Sequence, residues 1–168
     1  SNGSGSGVNL SKLRGKNEPL SGGGFASGAL SFMSAADKSA SVIKSAGRVR
    51  RSAKMVILNI DHPDIEDFIW CKAREEKKAH ILIAAGYDDS LDGEVYQTVL
   101  FQNANNSVGI TDEFMKCVRG DYTDARWRTF YRTTSKTAHT YDARDLFHQI
   151  AEATWRCGDP GCFFLNTC

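Results

Sequence analysis

The chain has 168 residues, 41% hydrophobic and 24% charged, enough for one globular domain with a real core and too apolar for a disordered tail. Its 21 lysines and arginines face 20 acids, a net charge of +1, so no bulk attraction to nucleic acid or to an anionic membrane is expected. The longest apolar stretch, Ile81 to Ala85, falls far short of the roughly 20 residues a bilayer requires, and neither a membrane span nor a signal peptide is expected.

Glycine crowds the first 28 residues in two bursts, Gly3 to Gly7 and Gly22 to Gly28, marking a loop-rich end. Between them Val8 to Leu13 alternates apolar with polar, the period of a half-buried strand. Ser27 reads as the N-cap of a helix that carries Leu30, Met33, Ala36, Ala40 and Ile43 on one face and stops near Ser45. A basic loop, Ala46 to Arg51, leads into Met55 to Ile60, a compact apolar run suited to a strand covered on both faces. Pro63 opens the next helix, Asp64, Glu66 and Asp67 complement its dipole, and it continues toward Lys78, with His80 to Ala85 as an optional extension that Gly86 would stop. Val95 to Phe101 and Ser107 to Ile110 are strand-like, separated by a turn over Gln102 to Asn106. Thr111 caps a short helix through Val118. Trp127 to Thr134 and His139 to Tyr141 form a hairpin about Ser135 and Lys136, and a last helix from Asp142 through Trp155 is broken by Gly158-Asp159-Pro160-Gly161. Helices and strands interleave, which predicts an α/β architecture with a largely parallel sheet.

The five cysteines, Cys71, Cys117, Cys157, Cys162 and Cys168, are an odd and scattered set without CxxC spacing, which fits a reducing cytoplasm. The four histidines are equally dispersed, so no zinc site is expected; His62 reads as a capping residue and His148 as a packing one. Three segments suit ligand chemistry. Gly22 to Gly28 opens a helix, where bare amides and the helix dipole favour an anion; a flexible loop with an ordinary cap explains it as well. Lys44, Arg48, Arg50 and Arg51 lie in a loop before a buried strand, where arginine forks can bind phosphate or stack on a base, although a solvated basic turn is the commoner fate. Gln102, Asn103, Asn105 and Asn106 could line a polar pocket, and turn formation is the preferred reading.

Taken in order, the motifs Gly5-Ser-Gly-Val-Asn-Leu-Ser-Lys-Leu-Arg14, Leu20-Ser-Gly-Gly-Gly-Phe-Ala-Ser-Gly28, Ser31-Phe-Met33, Ile43-Lys-Ser-Ala-Gly-Arg-Val-Arg-Arg51, Asp61-His-Pro-Asp-Ile-Glu-Asp-Phe68, Thr111-Asp-Glu-Phe-Met115 and Asp159-Pro-Gly161 resemble the catalytic chain of ribonucleotide reductases, closest to the adenosylcobalamin-dependent, class II branch. The resemblance runs from about residue 3 to residue 161. It implies a partial segment of the family's ten-stranded α/β barrel, one domain segment over 1–168. It also implies radical reduction of ribonucleotides to deoxyribonucleotides, with adenosylcobalamin as cofactor and a thioredoxin-like or dithiol reductant. A deoxynucleoside triphosphate effector and a homodimeric assembly come with it. Specificity loop 1 corresponds to about 14–24 and loop 2 to about 45–51. On that match Gly5 and Arg50 contact substrate, and Arg14, Ser45, Gly47 and Arg48 contact effector. The Asn-Pro-Cys motif bearing the family's radical cysteine does not occur in this sequence, so no catalytic residue is assigned, and Cys162 and Cys168 receive no redox role. A non-catalytic nucleotide-binding or regulatory module is the alternative.

Overall fold

A computed structural model describes residues 6–42, 54–90 and 93–166. Four strands, β1 (Ser6–Asn9), β2 (Lys54–Asn59), β3 (Ala104–Ile110) and β6 (Gly161–Phe164), form one sheet in that spatial order, each parallel to its neighbour. The connections carry helices: α1 (Ala29–Val42) between β1 and β2; α2 (Ile65–Ala84) and α3 (Glu94–Thr98) between β2 and β3; α4 (Asp112–Arg119) and α5 (Ala143–Cys157) between β3 and β6. An antiparallel hairpin, β4 (Arg126–Phe130) and β5 (Thr137–Asp142), is inserted between α4 and α5. A parallel sheet whose strands follow chain order, each crossing over through a helix, is the wall of an α/β barrel.

The period of two along each strand divides the sheet cleanly. Val56, Leu58 and Ile60 pair in register with Asn106, Val108 and the residues beyond, and this face packs on Ile65, Phe68, Phe114, Leu146 and Ile150 of the helices. The opposite face carries Gly7, Asn9, Met55, Ile57, Asn59, Asn105, Ser107, Gly109, Gly161 and Phe163, placed side by side by the same register. No helix covers it. Every residue of β1 is exposed, Val8 to 49% and, at the other edge, Phe164 to 45%. Beside β6 an apolar groove of about 420 Å³ runs along α5, with Trp155 87% exposed. Val8, Trp155 and Phe164 thus leave apolar side chains exposed toward the two edges of the sheet.

Several local expectations hold for their stated reasons. The Thr111 side chain accepts from Phe114 N, the Asp142 side chain accepts from Arg144 N and Asp145 N, and Gly158 ends its helix in the left-handed region. Others are corrected. Val95 to Phe101 is not a strand: α3 occupies its first half and packs Val95 against Ala79 and Val99 as a small satellite core. The turn expected at Gln102 to Asn106 is shorter, because Ala104 to Asn106 already pair with Lys54 to Val56. The first strand lies at Ser6–Asn9 rather than Val8 to Leu13, where the chain turns through a Leu13 N to Leu10 O bond. Gly161–Phe164 forms β6, a strand that three apolar residues after a Gly-Pro break do not announce. His148 is exposed rather than packed. Among the described residues no helix is long and apolar enough to cross a membrane.

Candidate functional site

The inner face is shallow and of mixed polarity. Gly7, Gly109, Gly161 and the small Ser107 stand among asparagines and the apolar Met55, Ile57 and Phe163; backbone is exposed at Gly7 and Gly161, whereas Ser107 and Gly109 are buried. At the carboxyl ends of the strands Asn9 Nδ2 donates to Asn59 Oδ1 at 3.1 Å, Ser11 N donates to Asn9 Oδ1 at 2.9 Å, and Asn59 N donates to Ser11 Oγ at 2.7 Å. Gly109 leaves room for this pair, since a Cβ there would lie 2.6 Å from Asn59 Oδ1. Ligands of parallel sheets bind beyond the carboxyl ends of strands. Of the asparagines considered in the sequence, Asn105 belongs to this face and is exposed. Asn106 turns to the helical side, where its Nδ2 donates to Cys71 Sγ at 3.3 Å and its N to Asp159 Oδ1 at 3.2 Å. Asn103 is tied to Asp37 through its backbone N, 2.8 Å from Oδ1.

Loop 1 leaves β1 at this edge and is held by buried carboxylates. Asn17 N donates to Ala26 O and Ala26 N to Glu18 O, at 2.9 and 2.8 Å, so the loop is a small ladder closed at its tip by a Leu20 N to Gly24 O bond. Gly23 and Gly24 adopt φ of 88° and 86°, and a Cβ at Gly22, Gly23 or Gly24 would meet nothing within 4 Å. The tip is open and the stem is fixed. Asp64 Oδ1 accepts from Lys16 N at 2.8 Å and Oδ2 from Ala29 N at 2.9 Å. His62 is fully buried; its Nε2 donates to Leu13 O at 2.9 Å while Nδ1 accepts from Asp64 N at 3.0 Å, which sets one tautomer. Burial, only partly opposed by the Leu13 carbonyl and by Asp64, lowers the His62 pKa and keeps the ring neutral.

Two sequence expectations change here. Ser27 is not the N-cap of α1: Gly28, at φ 86°, precedes the helix, and the first helical amide is capped by Asp64 from another element. The anion expected at the glycine-rich helix start is therefore this protein's own carboxylate, which already complements the dipole. Asp64 also lies 2.7 Å from where a Gly28 Cβ would sit, so the glycine is needed for the approach. Sequence reasoning missed both anchors. Asp64 reads as a dipole partner of its own helix, and two of the three residues that donate to the Glu18 carboxylate, Arg132 and Thr133, lie more than a hundred positions away.

Arg14 projects from the loop 1 stem, exposed and without a hydrogen-bond or ion-pair partner among the described residues. Gly5, Ser45, Gly47, Arg48 and Arg50 lie outside the described residues. Arg14 precedes α1 in the chain, and loop 2 follows its end at Val42. Among the described residues no three His, Cys, Asp or Glu side chains gather to hold a metal.

The family model described as "Ribonucleotide reductase, barrel domain" matches residues 1–168. The vitamin B12-dependent ribonucleotide reductase of Rhodopirellula baltica is 51% identical over 166 residues, covering 98% of this chain and 16% of that protein. That of Streptomyces coelicolor is 50% identical over 165 residues, covering 98% and 17%. The vitamin B12-dependent ribonucleoside-diphosphate reductase of Thermoplasma acidophilum is 36% identical over 166 residues, covering 98% and 18%. The chain thus spans less than a fifth of the length of these relatives.

Proposed function

The chain belongs to the ribonucleotide reductase barrel-domain family, and from that premise we propose that it is the substrate wall and specificity-loop segment of an enzyme that reduces ribonucleotides to deoxyribonucleotides. The observation that carries this reading is the inner face, where the exposed Gly7, Asn9 and Asn105 and the half-buried Asn59 offer polar groups beside the anchored stem of loop 1. Glycine lets a ribose and its phosphates approach the backbone closely, and the amides both donate and accept toward hydroxyls. Gly5 supplies a backbone contact to substrate and Arg50 approaches it. Arg14, whose exposed guanidinium has no partner among the described residues, holds an effector phosphate by charge-assisted bonds, with Ser45, Gly47 and Arg48 completing the effector contacts.

The 14 residues of α1 span about 21 Å at 1.5 Å per residue, with loop 1 before the helix and loop 2 after it. A deoxynucleoside triphosphate effector touches both loops, and the assembly is a homodimer, as the family resemblance implies. Like the relatives named for vitamin B12, the complete enzyme uses adenosylcobalamin, which supplies the initiating radical, and a thioredoxin-like or dithiol reductant closes the cycle. His62, with both ring nitrogens engaged, offers no nitrogen to the cobalt, and the role proposed for this segment is on the nucleotide side.

The test is reductase activity of the complete catalytic chain with each of four ribonucleotides and each deoxynucleoside triphosphate. Arg50→Ala should weaken effector-dependent base preference, whereas Arg51→Ala should change affinity with little change in preference. Equal effects of the two substitutions would remove the role given to Arg50. Nucleotide binding without deoxynucleotide product would identify a non-catalytic module instead.

A further inference from the structure

Glu18 is fully buried at the stem of loop 1. Its Oε2 accepts from Gly15 N at 2.9 Å within the loop and from Arg132 N at 3.2 Å, and its Oε1 accepts from Thr133 N at 2.5 Å. The Thr133 side chain also favours its charged form. Among the described residues no cation pairs with this charge: the Arg132 guanidinium turns to Asp61, with Nη1 donating to Oδ2 at 3.0 Å. A buried carboxylate held by donors alone is stable only while all of them stay in place. The donors belong to two segments, the loop 1 stem and the turn of the β4–β5 hairpin. That hairpin is itself fastened to the end of β2: Phe130 N donates to Asp61 O and Trp127 Nε1 to Ile60 O, both at 3.0 Å. The turn is closed by Tyr131 N to Lys136 O and Ser135 N to Tyr131 O, each 2.9 Å.

We propose that Glu18 is a positioning residue for effector recognition, clamping the loop 1 stem to the β4–β5 turn so that the hairpin serves as the rigid seat of the specificity loop. The inference rests on the function proposed above and goes beyond it by assigning a role to the hairpin and to a residue that touches no ligand. Ordering the stem in advance leaves only the tip, residues 20–24, to be ordered by a deoxynucleoside triphosphate, which lowers the entropy cost of binding. Glu18→Gln replaces one acceptor oxygen with a donor that opposes backbone N–H groups. Thr133→Val removes a single hydroxyl donor and leaves loop 1 untouched.

The experiment measures, in the complete enzyme, the deoxynucleoside triphosphate concentration that half-switches base preference, together with kcat/KM without effector. Glu18→Gln should raise the half-switching concentration about tenfold, the equivalent of one charge-assisted hydrogen bond, and by more than it lowers effector-free kcat/KM. Thr133→Val should shift it in the same direction by less, and it decides the matter if Glu18→Gln does not fold. An unchanged half-switching concentration in Thr133→Val, or equal losses with and without effector, would overturn the clamp. No effector response in the unsubstituted enzyme would instead overturn the function reading, and the inference with it.

Discussion

Asp64→Ala removes the carboxylate that accepts from Lys16 N at 2.8 Å and from Ala29 N at 2.9 Å. Asp64 is 8% exposed, so water does not readily replace it, and each abandoned amide costs about 1–3 kcal/mol. A cap lost to solvent alone would cost only about 0.5–2 kcal/mol. The two amides together therefore give a local loss of about 2–5 kcal/mol, confined to the loop 1 stem and the first turn of α1. At 1.4 kcal/mol per decade this is a rise of about 30-fold or more in the opening equilibrium. Native-state amide hydrogen exchange over residues 14–30 of the complete chain reads that change directly. Asp64→Asn keeps one acceptor and should fall between. Asp67→Ala is the control: its 2.6 Å pair with Arg74 is about half exposed on both sides, and such pairs contribute about 0–1 kcal/mol. Exchange at Lys16 and Ala29 within twofold of the unsubstituted protein in Asp64→Ala would refute the reasoning.

The Glu18 carboxyl is opposed by burial but held below its ordinary value of 4.5 by the bonds from Thr133, Gly15 and Arg132. Its contribution to stability is thus full above pH 4.5 and lost as pH falls through the lower folded value; Glu18→Gln should flatten that acid limb of the urea midpoint, and an identical limb in both proteins would contradict it. Burial, only partly offset by Lys72, pushes the Cys71 thiol up to about 12, whereas Cys162 is exposed at the β6 edge. Mass-spectrometric thiol labelling at pH 8 should therefore modify Cys162 well before Cys71, and the reverse order would be inconsistent with the core described. Lys72, 11% exposed, is paired with Asp159 and donates to Ala104 O at 2.5 Å. Lys72→Met should cost about 1.5–3 kcal/mol by leaving a partly buried carboxylate without its charged hydrogen-bond donor, and a urea-measured loss below about 1 kcal/mol would show the pair to be solvent-screened.

The elements legible in the sequence were those whose signals are local. Met55 to Ile60 was a compact apolar run, and Thr111 and Asp142 each stood as a capping residue just before an amphipathic segment. The α/β pattern followed from the alternation of such segments. Val95 to Phe101 misled because an apolar run of that length fits strand and helix alike, and packing against Ala79 decides it. The ordered motifs identified the family, yet none of them marked the inner face. That face exists only through register, which sets Asn9 beside Ile57, with Asn59 and Gly109 adjacent on the next strands. Asp64 and Glu18 escaped notice for the same reason: their partners are contributed by other segments, 35 to 48 positions away for Asp64 and up to 115 for Glu18.

The central claim, that this segment is the nucleotide-facing wall of a reductase, is tested most directly by hydrogen exchange of the complete catalytic chain with ribonucleotide and deoxynucleoside triphosphate bound. Protection should appear in peptides covering residues 5–24 and 43–59, which contain Gly5, Arg14, Arg50 and Asn59, and the outward helices α2 and α5 should change little. Turnover proceeding with no protection in those peptides, or with protection confined to α2 and α5, would contradict the account.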